Sequence, residues 1–151
     1  MSDELRQDAP LLLSVFALGE TLFALDALLI QEITLAGRIT PVRRAPADVL
    51  GIINLRGRIV TVIAPALRMG LAPFEPGRST RILIADCGDE PIGLVVSRVV
   101  DVLPVERDQL LPPPSNLRQL LGGFLGQVFR HQEHVVSILD LTALMTVEDR
   151  A

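Results

Sequence analysis

His131 and His134 stand three apart with Glu133 between them, and side chains of these types can ligate metals. The segment reads as a hairpin tip, where this spacing is not expected to converge two imidazoles, so no metal site is assigned. Cys87 closes an apolar run and precedes Gly88-Asp89-Glu90. Acidic neighbours oppose a thiolate, so Cys87 is not read as a nucleophile. Carboxylates pair as Glu20 with Asp26 and as Asp86 with Asp89, in segments where turns collect acids for solvation. No Gly-x-Ser-x-Gly elbow occurs, and Gly122-Gly-Phe-Leu-Gly126 lacks dinucleotide-binding spacing. With two histidines, no lysine and no tyrosine, general acid and base chemistry is poorly supplied. The expectation is a protein without catalytic activity, cofactor or metal.

Composition narrows the partners. The chain has 151 residues and 14 arginines against 18 acids, a formal net charge of −4, with no arginine run longer than Arg43-Arg44. Duplex nucleic acid is not expected, and without Trp or Tyr the aromatic platforms for single strands are missing. Met1 to Pro10 is polar and acidic, so no signal peptide is read. Ser14, Gly19, Asp26 and Thr61 break the apolar runs well short of the ~20 residues of a spanning helix. The lone cysteine fits a reducing compartment, and a soluble, cytoplasmic protein is expected. Mean hydropathy is +0.43. Either a leucine-rich core or apolar surface held open for a partner accounts for it.

Turn residues divide the chain into strands. Leu11 to Leu18 and Thr21 to Leu25 flank Gly19-Glu20, a hairpin signal. Ala27 to Ile33 is short and β-branched and reads as a strand; Ile39 to Pro46 reads as a surface loop. The clearest hairpin is Gly51 to Ile63 around Arg56-Gly57, with glycine supplying the positive φ of a tight reversal. Ala64 to Met69 is expected to form one helical turn, and Ala72 to Gly77 a connector. Asn116 to Leu121, stopped by Gly122-Gly123, is predicted helical.

The second half repeats the first. Setting Gly88 on Gly19 places Ile92 on Phe23, Leu94 on Leu25, and Val99, Asp101 and Val102 on Ile30, Glu32 and Ile33, an offset of 69 residues. The offset then grows to about 75, setting Gly126 to Phe129 on Gly51 to Asn54 and Val135 to Leu139 on Ile59 to Ile63. A duplicated five-strand unit explains this. The fold class is all-β: two five-stranded antiparallel units closed as barrels around a shared hydrophobic core, with short helices in the connections. An apolar groove between the barrels is expected.

The middle hairpin, Gly51-Ile-Ile-Asn54-Leu55-Arg56-Gly57-Arg58-Ile59-Val60, follows Ile39-Thr-Pro-Val42 and Ala45-Pro46. Upstream runs Phe23-Ala-Leu-Asp26-Ala-Leu-Leu-Ile30-Gln31-Glu32-Ile33; downstream come Gly93-Leu-Val-Val96, Val99-x-Asp-Val102 and Val136-x-Ile-Leu-Asp140-Leu141. In this order the segments resemble the CheW family of chemotaxis coupling proteins, over residues 11 to 146.

The resemblance implies two SH3-like barrels and a non-enzymatic adaptor. Such a protein bridges the cytoplasmic hairpin tip of methyl-accepting chemoreceptors and the regulatory domain of a CheA-type histidine kinase, with no membrane insertion of its own. By this resemblance Arg56 and Glu32 face the receptor, either paired with each other or with Arg56 docked on a receptor carboxylate or carbonyl. Ala27, Ile30 and Leu55 would complete the contact, with Asn54 and Gly57 forming the turn. The expected organisation is an N-terminal tail at 1–10, the domain at 11–146 with halves 11–72 and 79–146, and a C-terminal tail at 147–151. Two departures stand out. The family's Pro-x-x-Asp-Leu-Arg becomes Thr61-Val-Ile-Ala64-Pro65-Ala66, losing an acid and a base, and Gly-Leu-Val-Val-Asp ends in Ser97. They suggest a paralogue serving another chemosensory array, for example one for pilus motility. The alternatives are a stand-alone module binding a like domain without receptor contact, a small-ligand β-barrel, or a degenerate enzyme subunit.

Overall fold

Gly19 and Glu20 close a tight turn between β1 (Leu11–Leu18) and β2 (Thr21–Asp26), whose residues pair in register from Leu18 with Thr21 to Leu13 with Asp26. The computed structural model describes residues 9–88 and 90–146. Residues 1–8 of the tail expected at 1–10, and the whole tail expected at 147–151, lie outside the described residues. The Asp26 carboxylate accepts a hydrogen bond from the Leu28 amide (3.0 Å) and caps one 3-10 turn, Ala27–Leu29. The strand expected from Ala27 therefore starts at Ile30, as β3 (Ile30–Leu35). Then come β4 (Val49–Leu55), β5 (Arg58–Ile63), the single-turn helix α1 (Pro65–Arg68), β6 (Arg81–Asp86), β7 (Pro91–Val96) and β8 (Arg98–Val105). Helix α2 (Ser115–Leu121), β9 (Leu125–His131), β10 (His134–Leu139) and α3 (Leu141–Thr146) complete the order.

The strands form two five-stranded sheets, in the orders β8-β1-β2-β10-β9 and β3-β6-β7-β5-β4. The duplication shows in the two orders: exchanging β1–β5 with β6–β10 turns one into the other. Registers agree as well. Phe16 opposes Val99 where Ala85 opposes Ile30, and Val15 opposes Asp101 where Ile84 opposes Glu32, with a bulge at the same place in both. In the β9–β10 hairpin the offset is 76 throughout, so Gly126 falls on Leu50 rather than on Gly51.

Two expectations need correction. The sheets are mixed, because β2–β10 and β5–β7 are parallel pairs. Nor does either sheet belong to one half of the chain: each takes a hairpin from one half and three strands from the other. The two halves meet twice in each sheet, at the parallel pair and at an antiparallel pair, β1–β8 in the first and β3–β6 in the second. A hairpin can join only antiparallel neighbours, so the parallel pairs need longer connections.

The edges of each sheet are joined by chain outside the strands, in the first case by the segment expected to be loop. Past β3, Thr40 and Ile52 of β4 exchange both backbone hydrogen bonds, at 2.9 and 2.8 Å. Past β8, Leu111 and Val128 of β9 do the same at 2.8 and 2.9 Å. Gly51 permits the first contact. Its φ is 148°, and a Cβ there would lie 2.1 Å from the Thr40 carbonyl oxygen.

Strand alternation divides β1 between two cores. Leu13, Val15 and Ala17 pack with Ala24, Val105, Phe129 and Val136 inside the first sheet, while Phe16 and Leu18 face the second. The core shared between the sheets holds Phe16, Phe23, Leu25, Ile63, Leu83, Leu94, Leu139 and Leu144. The rings of Phe16 and Phe23 stack 6.4 Å apart, and burying each contributes about 1.5–3 kcal/mol. A third cluster, Val60, Val62, Ile82, Ile84 and Val95, fills the second sheet. Among the described residues no helix is long and apolar enough to cross a membrane.

Candidate functional site

Between the sheets, β3 runs beside β1 and β8 and leaves a concavity of about 300 Å³ lined by Ser14, Ala27, Ile30, Glu32, Ile33 and Val102. Its walls are apolar and its rim stays uncovered: Ile33 is 43% exposed, Val102 46% and Leu28, on the 3-10 turn above, 84%. Of the two accounts of the high mean hydropathy, both hold in part: most of the apolar residues fill the cores, and some stay open at this groove. The groove also holds a buried polar atom, Ser14 Oγ, with no hydrogen-bond partner among the described residues.

Glu32 carries the charge at this rim. Its carboxylate receives both arms of the Arg56 guanidinium, Nη1 to Oε1 at 3.2 Å and Nη2 to Oε2. The hydrogen bond from Arg56 holds the Glu32 carboxyl below the ordinary glutamate range; burial opposes this and the charge attraction adds to it. In return the Glu32 carboxylate, first by hydrogen bonding and then by charge, raises the Arg56 guanidinium above the usual arginine range. The arginine side chain is still 73% exposed against 28% for the glutamate, so Glu32 orients Arg56 and leaves most of its surface open.

The β4–β5 turn explains why Arg56 projects there. Arg56 has φ 52° and Gly57 φ 85°, two consecutive positive values, the pattern of a type I′ hairpin turn. Asn54 Oδ1 accepts from the Gly57 amide at 2.8 Å and locks the reversal. Glycine was expected to supply the positive φ; the arginine adopts one as well. A β3 residue and a β4–β5 tip, on opposite edges of one sheet, thus meet through a single bidentate pair.

Of the residues singled out from the sequence, Ala27, Ile30, Glu32 and Arg56 come together, and Asn54 and Gly57 form the turn beneath them. Leu55 does not line the groove. It packs on the core of the second sheet with Ile53. Sequence reasoning missed Ile33, Val102 and Ser14. The repeat carried a signal for two of them, since Val102 falls on Ile33 and a duplicated apolar position flanks the groove from each half.

The CheW-like domain family matches residues 13–149. The chain belongs to that family. Chemotaxis protein CheW of Rhizobium meliloti (strain 1021) is 28% identical over 138 residues, covering 91% of this chain and 89% of that protein. Protein FrzA of Myxococcus xanthus is 24% identical, covering 90% and 86%. The solved structure of the scaffolding protein TtCheW from Thermoanaerobacter tengcongensis is similar with a TM-score of 0.82 and 30% identity, over 89% of this chain and 92% of that one.

Within the CheW-like frame the two departures have structural consequences. Ala64 precedes α1 without a side-chain cap, whereas Asp140, its counterpart before α3, accepts from the Ala143 amide at 3.1 Å. Nearby, buried Arg68 donates from Nε to Asp48 Oδ2 at 2.8 Å and from Nη1 to the Leu144 carbonyl at 3.2 Å, tying α1 to α3 and to the residue before β4. An acid and a base thus meet beside the positions that lost them. Ser97 Oγ accepts from the Gly19 amide at 2.6 Å, so the serine in place of aspartate pins the β1–β2 turn.

Proposed function

We propose that this CheW-like chain is a non-enzymatic adaptor that couples the helical cytoplasmic tip of chemoreceptors to the regulatory domain of a CheA-type histidine kinase. The observation that carries the reading is the groove between the sheets: an open apolar floor with the Arg56–Glu32 pair at its rim. A helix seats an apolar stripe in such a groove, and a planar guanidinium fixed on one side fits a carboxylate or a carbonyl at one register only. The two sheets share one strand order, which supports pairing with a like-folded kinase domain at the barrel ends, away from the groove. The departures at Ala64, Ala66 and Ser97 favour service in a divergent array, such as one for pilus motility.

The test is affinity capture of the tagged protein from its own cytosol, with bound proteins identified by mass spectrometry and Arg56→Glu as the matched variant. Wild type is expected to retain methyl-accepting receptors and a histidine kinase. The variant should lose the receptors, keep the kinase, and keep its far-UV circular dichroism, because exposed turn substitutions shift stability by about 0.5 kcal/mol or less. Receptors retained by Arg56→Glu overturn the contact, and no receptor or kinase with wild type overturns the adaptor reading.

A further inference from the structure

The β9–β10 tip was expected to keep its two histidines apart, and the register says otherwise. His131 and His134 are directly opposed partners, the last pair before a two-residue turn. Directly opposed residues of an antiparallel pair project to the same face with Cβ atoms about 4.5–5.5 Å apart, within reach of one ion shared by two imidazoles. Along one strand a three-residue spacing turns two side chains to opposite faces. Across a two-residue turn it becomes a step between strands.

The turn that carries them is tight. Gln132 (φ 47°) and Glu133 (φ 68°) repeat the paired positive φ values of the Arg56–Gly57 turn, so the strands stay paired up to the histidines. Two residues back on the same face are Phe129 and Val136, which oppose each other and are buried at 3% and 0%. The imidazoles therefore extend the core-facing side of the hairpin past the end of the first sheet's core. Arg130 and Val135 occupy the opposite face, which keeps the arginine charge off the histidine side. The equivalent pair in the other hairpin is Leu55 and Arg58, so the turn itself does not require histidine.

We propose that His131 and His134 together bind one divalent transition ion that prefers imidazole nitrogen, of the Ni²⁺, Cu²⁺ or Zn²⁺ class. Among the described residues no group of three or more metal-ligating side chains occurs. The ion takes two protein nitrogens and keeps water at its other positions, which suits tetragonal or octahedral coordination better than a closed zinc site. The site belongs to the first sheet and is separate from the groove at Arg56.

The experiment is calorimetric titration of the full chain, free of any histidine tag, with NiCl₂, a probe that Cys87 does not reduce. Wild type, His131→Gln and His134→Gln are compared, and amide resonances broadened by the paramagnetic ion locate it. One Ni²⁺ per chain is expected, with broadening confined to the tip. Losing a side chain that only orients a metal ligand costs about 10–100-fold in affinity, so removing either ligand should weaken binding by about tenfold or more. Unchanged far-UV circular dichroism shows that each variant folds. Two ions on wild type and one on each variant would mean independent histidines and overturn the chelate. Equal binding by wild type and variants, or none by wild type, would overturn the site.

Discussion

Arg56 sits where the backbone is left-handed and the side chain is exposed, so local turn chemistry does not select an arginine there. Its counterpart in the second half is Gln132, and the counterpart of Glu32 is Asp101, which accepts from the Val102 amide at 2.8 Å instead. The ion pair thus exists in one half only. Because Glu32 titrates below its ordinary range, the pair's contribution is complete above that range and is lost as the pH falls through the lowered folded value. The raised Arg56 sets its alkaline limit above the arginine range. A carbon-detected NMR titration of Glu32 should give a midpoint below the ordinary value of about 4.3, returning toward it in Arg56→Asn, which suits the positive φ but has no guanidinium. An unshifted wild-type midpoint would contradict the pair in solution. Gly57 is the other residue whose chemistry is fixed. Gly57→Val forces a β-branched side chain to φ 85°, and a loss of about 1–3 kcal/mol is expected in chemical denaturation. Unchanged stability would refute the turn.

At the scale of elements, the tight constraint is the closure of each sheet. Gly51 lies in β4 where the Thr40 carbonyl presses on the strand, and no other residue type leaves that space. Gly51→Ala should separate Thr40 from Ile52 and cost about 3 kcal/mol, read as a shift of the denaturation midpoint with loss of amide protection at Ile52. Retained protection at Ile52 would show that the closure tolerates a methyl group. The hairpins were legible in the sequence because Gly19-Glu20, Arg56-Gly57 and Gly88 interrupt β-branched runs. The closing bridges were not, because Thr40 and Leu111 lie in proline-containing segments that carry no strand signal of their own. The 3-10 turn at Ala27–Leu29 was hidden for a related reason: one Asp26 side chain decides it, against the apolar pattern around it.

The whole molecule exchanges hairpins between its halves. Since β1–β2 pairs with β8 and β10, and β6–β7 with β3 and β5, neither half contains a complete sheet. Fragments 1–78 and 79–151 should each lack a cooperative thermal transition and regain one when mixed, as followed by circular dichroism. A cooperative transition in either fragment alone would contradict the exchange. The Arg68 link to Asp48 and to the Leu144 carbonyl adds a tie of the same kind, joining α1 in the first half to α3 in the second.

The pairing candidates Arg56 and Glu32 came from the family resemblance, whereas the sequence by itself determined the hairpins at Gly19-Glu20, Arg56-Gly57 and Gly88, the duplication and the two-sheet class. Those features follow from turn residues, alternation and a repeat, all of which are local or periodic. Only the tertiary structure decided that the sheets draw on both halves, that Leu55 turns into a core while Ile33 and Val102 line the groove, and that His131 faces His134. The physical reason is that register across strands fixes which side chains share a face. Linear spacing carries that register only where a two-residue turn joins the strands, as at Arg56-Gly57 and Gln132-Glu133.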